Sequence, residues 1–204
     1  MPIARTARLT VLFADLRGYT GLAERLAPAL IVPLLDEFFG MLAKATLSNR
    51  GTVFHMAGDG MMAGFGGPDA AQDGAPEALA AGQAILQNFA ALAARWRSEL
   101  SIETGVGVGL HLGEVALGLL GPPGQKSTTL VGDTVNVAAR LCSRARAGEV
   151  LLSSTVAAAL EIAGGARELN VGLIPVLHLP HFELRGRAAP MDIWCVPARE
   201  RVAL

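Results

Sequence analysis

Net charge is almost absent from this chain: 17 lysines and arginines stand against 18 acids, leaving −1 at neutral pH. The arginines are scattered rather than clustered, so no basic field exists to attract nucleic acid. Cysteine is equally scarce. Cys142 and Cys195 have neither metal-ligand nor redox spacing and lie in apolar surroundings, which fits two free thiols in a reducing cytoplasm. Long apolar runs are missing too. The stretch Ala27–Leu35 is broken by Pro28 and Pro33 and is too short to span a bilayer, and the N-terminus lacks the apolar core of a signal peptide. There is no internal repeat and no linker. What remains is 204 residues, 51% hydrophobic and 17% charged, enough to bury the core of one globular domain over residues 1–204.

The most informative stretch is Gly51–Gly67, GTVFHMAGDGMMAGFGG. Apolar runs at Thr52–Ala57 and Met61–Phe65 flank Gly58-Asp59-Gly60, which predicts a hairpin with positive φ at its tip. Strand alternation puts Val53, His55 and Ala57 on one face, and Asp59 continues that parity, so His55 and Asp59 look the same way. A lone Gly-Asp-Gly is usually an exposed turn. A second acid changes that reading: the apolar strand Leu9–Ala14 ends on Asp15.

After Asp15, Gly18, Tyr19 and Thr20 lead into a helical pattern over Leu22–Leu47, jointed at its prolines. Thr20 is a candidate N-cap, and backbone N–H groups at this junction suit a phosphate, although ordinary capping explains Thr20 equally well. A second, alanine-rich helix covers Ala78–Trp96. Ile102–Leu120 is expected to form two strands meeting near Gly113-Glu114. Gly105, Gly107 and Gly109 share one parity there, so one face is bare backbone, open to close approach by a helix, a ligand or a partner chain. Residues Asp133–Arg144 form a helix on which Asn136 and Arg140 share a face, a pattern that is more often a solvated stripe. A strand at Glu149–Leu152, a short helix capped by Ser153 or Ser154, an irregular stretch over Gly164–Ile174, and a strand pair Leu177–Arg185 with Met191–Val196 complete the chain. This order predicts an α+β fold: a ferredoxin-like βαββαβ core with added strands and helices, a mostly antiparallel sheet, and helices on one face. Both parities of the first strand are apolar, so the other face also needs a cover, for which a second subunit is economical.

The runs TVLFADLRGYT, GTVFHMAGDGMMAGFG, VGVGLHLGEVALGLLG, LVGDTVNVAARL, GEVLLSS and LRGRAAPMDIW resemble, in order and spacing, the class III adenylyl/guanylyl cyclase catalytic domain over residues 8–197. The resemblance implies a homodimer with two active sites at its interface, each using two Mg²⁺ ions with Mn²⁺ as a substitute. It maps the metal-binding aspartates onto Asp15 and Asp59, with the Leu16 carbonyl as a further ligand. Asn136 and Arg140, supplied by the other subunit, correspond to the transition-state pair. Gly18, Tyr19, Thr20 and Arg185 map to triphosphate contacts, Arg185 replacing the family's lysine. His55 and Thr129 fall at the base-selecting positions, where His55 departs from the lysine usual in adenylyl cyclases.

The chemistry asks for the same residue types. Attack of a ribose 3′-oxygen on the α-phosphorus needs that oxygen deprotonated and the pyrophosphate charge neutralised, work suited to divalent cations held by carboxylates. A fixed cation and an amide stabilise the charge that develops on the phosphoryl oxygens. A donor at position 55 and an acceptor hydroxyl at 129 suit adenine, so ATP is the expected substrate and cAMP the product. A guanylyl or pyrimidine-nucleotide cyclase is the alternative, and a silent cyclase-like dimerisation domain is the alternative of another class.

Overall fold

The computed structural model describes residues 4–67, 73–162, 165–168, 173–184 and 190–197. Strand β1 (Arg5–Arg17) is buried on both faces, as its continuous apolar run requires. Helices α1 (Tyr19–Arg25) and α2 (Pro28–Ser48) follow, then the hairpin β2 (Thr52–Ala57) and β3 (Gly60–Phe65), and helix α3 (Ala75–Leu100). Strand β4 (Gly105–Leu120) returns alongside β1. Among the described residues the sheet has nine strands, in the order β2-β3-β1-β4 and then β6 (Glu149–Ser153), β9 (Met191–Pro197), β8 (Leu173–Phe182) and β7 (Gly165–Glu168), with β5 (Ser127–Val131) pairing β4. The first four strands have the βαββαβ order expected from sequence, and the fold is α+β. Only β4 and β6 pair in parallel among these ladders; the rest are antiparallel.

The joint between α1 and α2 lies at Pro28, which takes the first position of α2, where its missing N–H costs nothing. Pro33 is accommodated inside α2 without ending it. The N-cap of α1 is Gly18 at φ 75°, not Thr20, which lies within the helix; no side chain caps it. The aromatic side chains of Phe38, Phe89 and Trp96 pack edge to face between α2 and α3. These two helices and α5 (Ser154–Ala159), capped by the Ser153 hydroxyl, cover one face of the sheet through Leu12, Val106, Val108 and Leu110.

Three expectations are corrected. Strand β4 is one continuous strand: its ladder with β1 runs unbroken from Leu117 to Gly105. Gly113 makes no turn; a Cβ there would fall 2.5 Å from the Thr134 hydroxyl, so the glycine admits a helix. That helix, α4 (Asp133–Arg144), lies on the opposite face from α3, so helices cover both faces. It seals two smaller apolar clusters, one with Val11, Met62 and Leu130 and one with Leu151, Ile193 and Cys195. Third, Gly165–Glu168, expected to be irregular, pairs with β8.

Candidate active site

The face of bare backbone on β4 answers to α4. A Cβ at Gly109 would collide with the Cys142 backbone nitrogen and stand 2.6 Å from the Ala138 carbonyl, and one at Gly105 would collide with Ala147. The helix thus sits almost on the strand, and its Ala139, Cys142 and Ser143 wall a cleft of about 270 Å³. The opposite wall is made by Phe13, Ala14 and Asp15 of β1 and by the β2–β3 hairpin, which contributes His55, Ala57, Asp59, Gly60, Met61 and Met62.

The acids meet because of register. Asp15 is the last β1 residue paired with β3, opposite Gly60, and it faces Gly107 on the other side. Asp59 occupies the hairpin tip beside Gly58 at φ 60°. Its carbonyl accepts the Leu16 N–H at 3.1 Å, tying the tip to the end of β1. Glycine on both flanks leaves the Asp15 carboxylate room: a Cβ at Gly60 would lie 3.3 Å from its Oδ1.

Burial and the neighbouring Asp59 carboxylate push the Asp15 carboxyl up to about 6, against the opposing pull of Arg17. Burial also raises Asp59. Two half-buried carboxylates therefore face one guanidinium, a site short of positive charge. Among the described residues, no group of three His, Cys, Asp or Glu side chains gathers for a metal. A pair of hard oxygen donors fits Mg²⁺ or Mn²⁺, which commonly take one or two carboxylates and complete their shell with substrate phosphates and water. The cysteines are no nucleophiles: burial drives Cys142 up to about 12 and Cys195 up to about 11.

The cleft gathers Asp15, Asp59 and His55, with Leu16 adjoining through its backbone. It does not gather Asn136, Arg140 or Thr129. Asn136 is exposed and Arg140 half-buried on α4, and neither side chain pairs with a described residue. Thr129 alternates with buried Leu130 on β5 and points away from the sheet cluster that Leu130 joins. Gly18, Tyr19 and Thr20 lie outside the cleft; Tyr19 packs against the main core. Arg185 falls outside the described residues. Arg17, which no motif singles out, holds Asp15 through its guanidinium at 3.0 Å. Its signal was present: it shares strand parity with Asp15 and faces the glycine side of β4.

This fold is that of nucleotide cyclase catalytic domains. The model of the adenylate and guanylate cyclase catalytic domain matches residues 1–190, and the chain belongs to that family. An adenylate cyclase of Anabaena cylindrica is 34% identical over 146 residues, covering 68% of this chain and 27% of its own length. This chain thus spans about a quarter of that relative. Among solved structures, the adenylyl cyclase CyaB from P. aeruginosa superposes with a TM-score of 0.84 at 26% identity, covering 99% of this chain and all of that one. The guanylyl cyclase Cya2 superposes at 0.81 with 29% identity, covering all of this chain and 98% of that one. Among the described residues no helix is long and apolar enough to cross a membrane.

Proposed function

We propose that residues 1–204 form a single catalytic domain that converts a nucleoside triphosphate, ATP by preference, into its 3′,5′-cyclic monophosphate and pyrophosphate, working as a homodimer. The observation that carries this reading is the division of the motif residues. Asp15, Asp59 and His55 line one cleft, while Asn136, Arg140 and Thr129 stand outside it with no partner for the first two among the described residues. A second copy would bring the missing half to each cleft. The exposed Leu119, Leu120 and Val131 on the β4–β5 arm are apolar surface suited to such a contact.

Asp15 and Asp59, with the Leu16 carbonyl, would hold two Mg²⁺ ions. Bound there, these ions would acidify the ribose 3′-hydroxyl and offset the charge of the departing pyrophosphate. Arg140 and Asn136 of the partner subunit meet the charge developing on the α-phosphoryl oxygens, one as a fixed cation and the other as an amide donor. Arg185 binds the terminal phosphates. His55 donates to the base and Thr129 of the partner subunit accepts from it, which suits adenine N1 and N6. Because imidazole can donate or accept, the same pair also admits guanine, and the similarity to both adenylyl and guanylyl cyclases fits a relaxed choice.

The test is turnover by the purified chain on ATP, GTP, CTP and UTP with Mg²⁺ and with Mn²⁺. We expect cAMP as the main product and its loss in Asp15→Ala and Asp59→Ala, each of which removes a ligand from a strand end rather than core volume. Near wild-type turnover in either variant would remove the two-metal assignment, and no cyclic product from any triphosphate would favour a silent dimerisation domain.

A further inference from the structure

We infer that Arg17 is a positioning residue, which fixes the Asp15 carboxylate by one oxygen and bolts the end of α4 to the same strand end. The inference rests on the reading of Asp15 as a metal ligand. Arg17 Nη1 donates to Asp15 Oδ2 at 3.0 Å, while Nη2 donates to the Cys142 carbonyl at 2.6 Å in the last turn of α4. Among the described residues that carbonyl otherwise receives only the capping N–H of Ala145, so the guanidinium closes the helix end. The Arg17 backbone is itself held, its carbonyl accepting the Thr104 hydroxyl at 2.6 Å.

Space for this bridge comes from Gly107. Its missing Cβ would collide with Arg17 Nη2 and lie 2.6 Å from Nε, so the guanidinium lies flat on bare backbone. The glycines on β4 thus divide their work: Gly105, Gly109 and Gly113 admit α4 and its flanks, while Gly107 admits the arginine that joins α4 to β1. The Nε–H is buried without a partner among the described residues, a cost that a side chain serving only its own satisfaction would avoid.

The bridge has two effects on the cleft. With Oδ2 engaged by Arg17, Oδ1 is the oxygen presented on the Gly60 side, which lines the cleft. The carboxylate is thereby held in one orientation before any cation arrives. The guanidinium also ties Asp15 to the helix that carries Asn136 and Arg140, so the two halves of the catalytic set in one chain move as one body.

The test compares wild type with Arg17→Gln, Arg17→Lys and Gly107→Ala in two measurements. One is turnover of ATP at saturating Mn²⁺. The other is Mn²⁺ affinity by paramagnetic resonance with 3′-deoxy-ATP, which lacks the attacking hydroxyl. For a misplaced ligand we expect kcat to fall at least about tenfold in Arg17→Gln while Mn²⁺ affinity changes by less than about threefold, with Arg17→Lys intermediate. Gly107→Ala should reproduce the loss by evicting the guanidinium, and the double variant should be no worse than Arg17→Gln alone. A kcat within about twofold of wild type in Arg17→Gln, losses in kcat and affinity of equal size, or additive losses in the double variant would overturn the inference. A wild-type chain that neither cyclises ATP nor binds Mn²⁺ with the analogue would instead overturn the reading of Asp15, and the inference with it.

Discussion

Asp15 and Asp59 are placed against their own electrostatic interest. Burial raises both carboxyls, the Asp59 carboxylate adds to the rise at Asp15, which reaches about 6 from 3.8, and a single guanidinium opposes both shifts. A carboxyl raised in the folded state contributes stability that is complete below its unfolded value and is lost as pH rises through the folded one. Without a divalent cation, the pair should therefore weaken the protein progressively between about pH 4 and 6. Asp59→Asn relieves this: in chelator at neutral pH it should melt roughly 2–4 °C above wild type, a modest gain because both acids are partly exposed to solvent. Scanning calorimetry should find the gap narrowing below about pH 6 and closing near pH 4, and activity lost throughout. A lower melting temperature at neutral pH would show that the acids do not repel. His55 is exposed and lines the same cleft. His55→Lys should sharpen ATP over GTP and His55→Glu should favour GTP, read from kcat/KM ratios; unchanged selectivity in both variants would remove His55 from base choice.

At the scale of elements, β4 and α4 set the architecture of the cleft. Gly109→Ala drives a methyl into the α4 backbone at Cys142 and Ala138, where no side chain can rotate away. Overpacking of this kind costs about 1–3 kcal/mol, and urea unfolding should find Gly109→Ala less stable by that amount. Gly113→Ala, which meets mainly the Thr134 side chain, should cost less. The same glycines explain what the sequence made legible. The hairpin around Asp59, the strand that carries Asp15 and helix α4 were readable from local periodicity and turn chemistry, and the bounds of α4 agree; β1 runs two residues past its expected end, to Arg17. Gly113-Glu114 looked like a turn because glycine inside a strand signals either a turn or a close approach, and only the packing partner, Thr134, distinguishes them. Arg17 escaped notice for the same reason, since its partner Cys142 lies 125 residues away. Strand β7 has only its ladder with β8 to define it, a long-range pairing that local pattern does not encode.

In the whole molecule, α4 covers part of the sheet face that β1's apolar pattern had reserved for a partner, so the need for a second subunit no longer follows from β1 alone. The proposed dimer rests instead on the site. One chain's cleft holds the acids and His55, and the motif residues that would meet the α-phosphate and the base face elsewhere. The mixing of two dead variants tests this most directly. Asp59→Ala keeps Asn136 and Arg140, and Arg140→Ala keeps both acids, so a heterodimer of the two contains one cleft with every group in place. Co-refolded or subunit-exchanged mixtures should recover cyclic nucleotide formation to roughly a quarter of wild type, because half of the dimers are then mixed and each has one intact site of two. A mixture shown by mass spectrometry to contain the heterodimer, yet forming no cyclic nucleotide from ATP or GTP, would contradict a site shared between two chains.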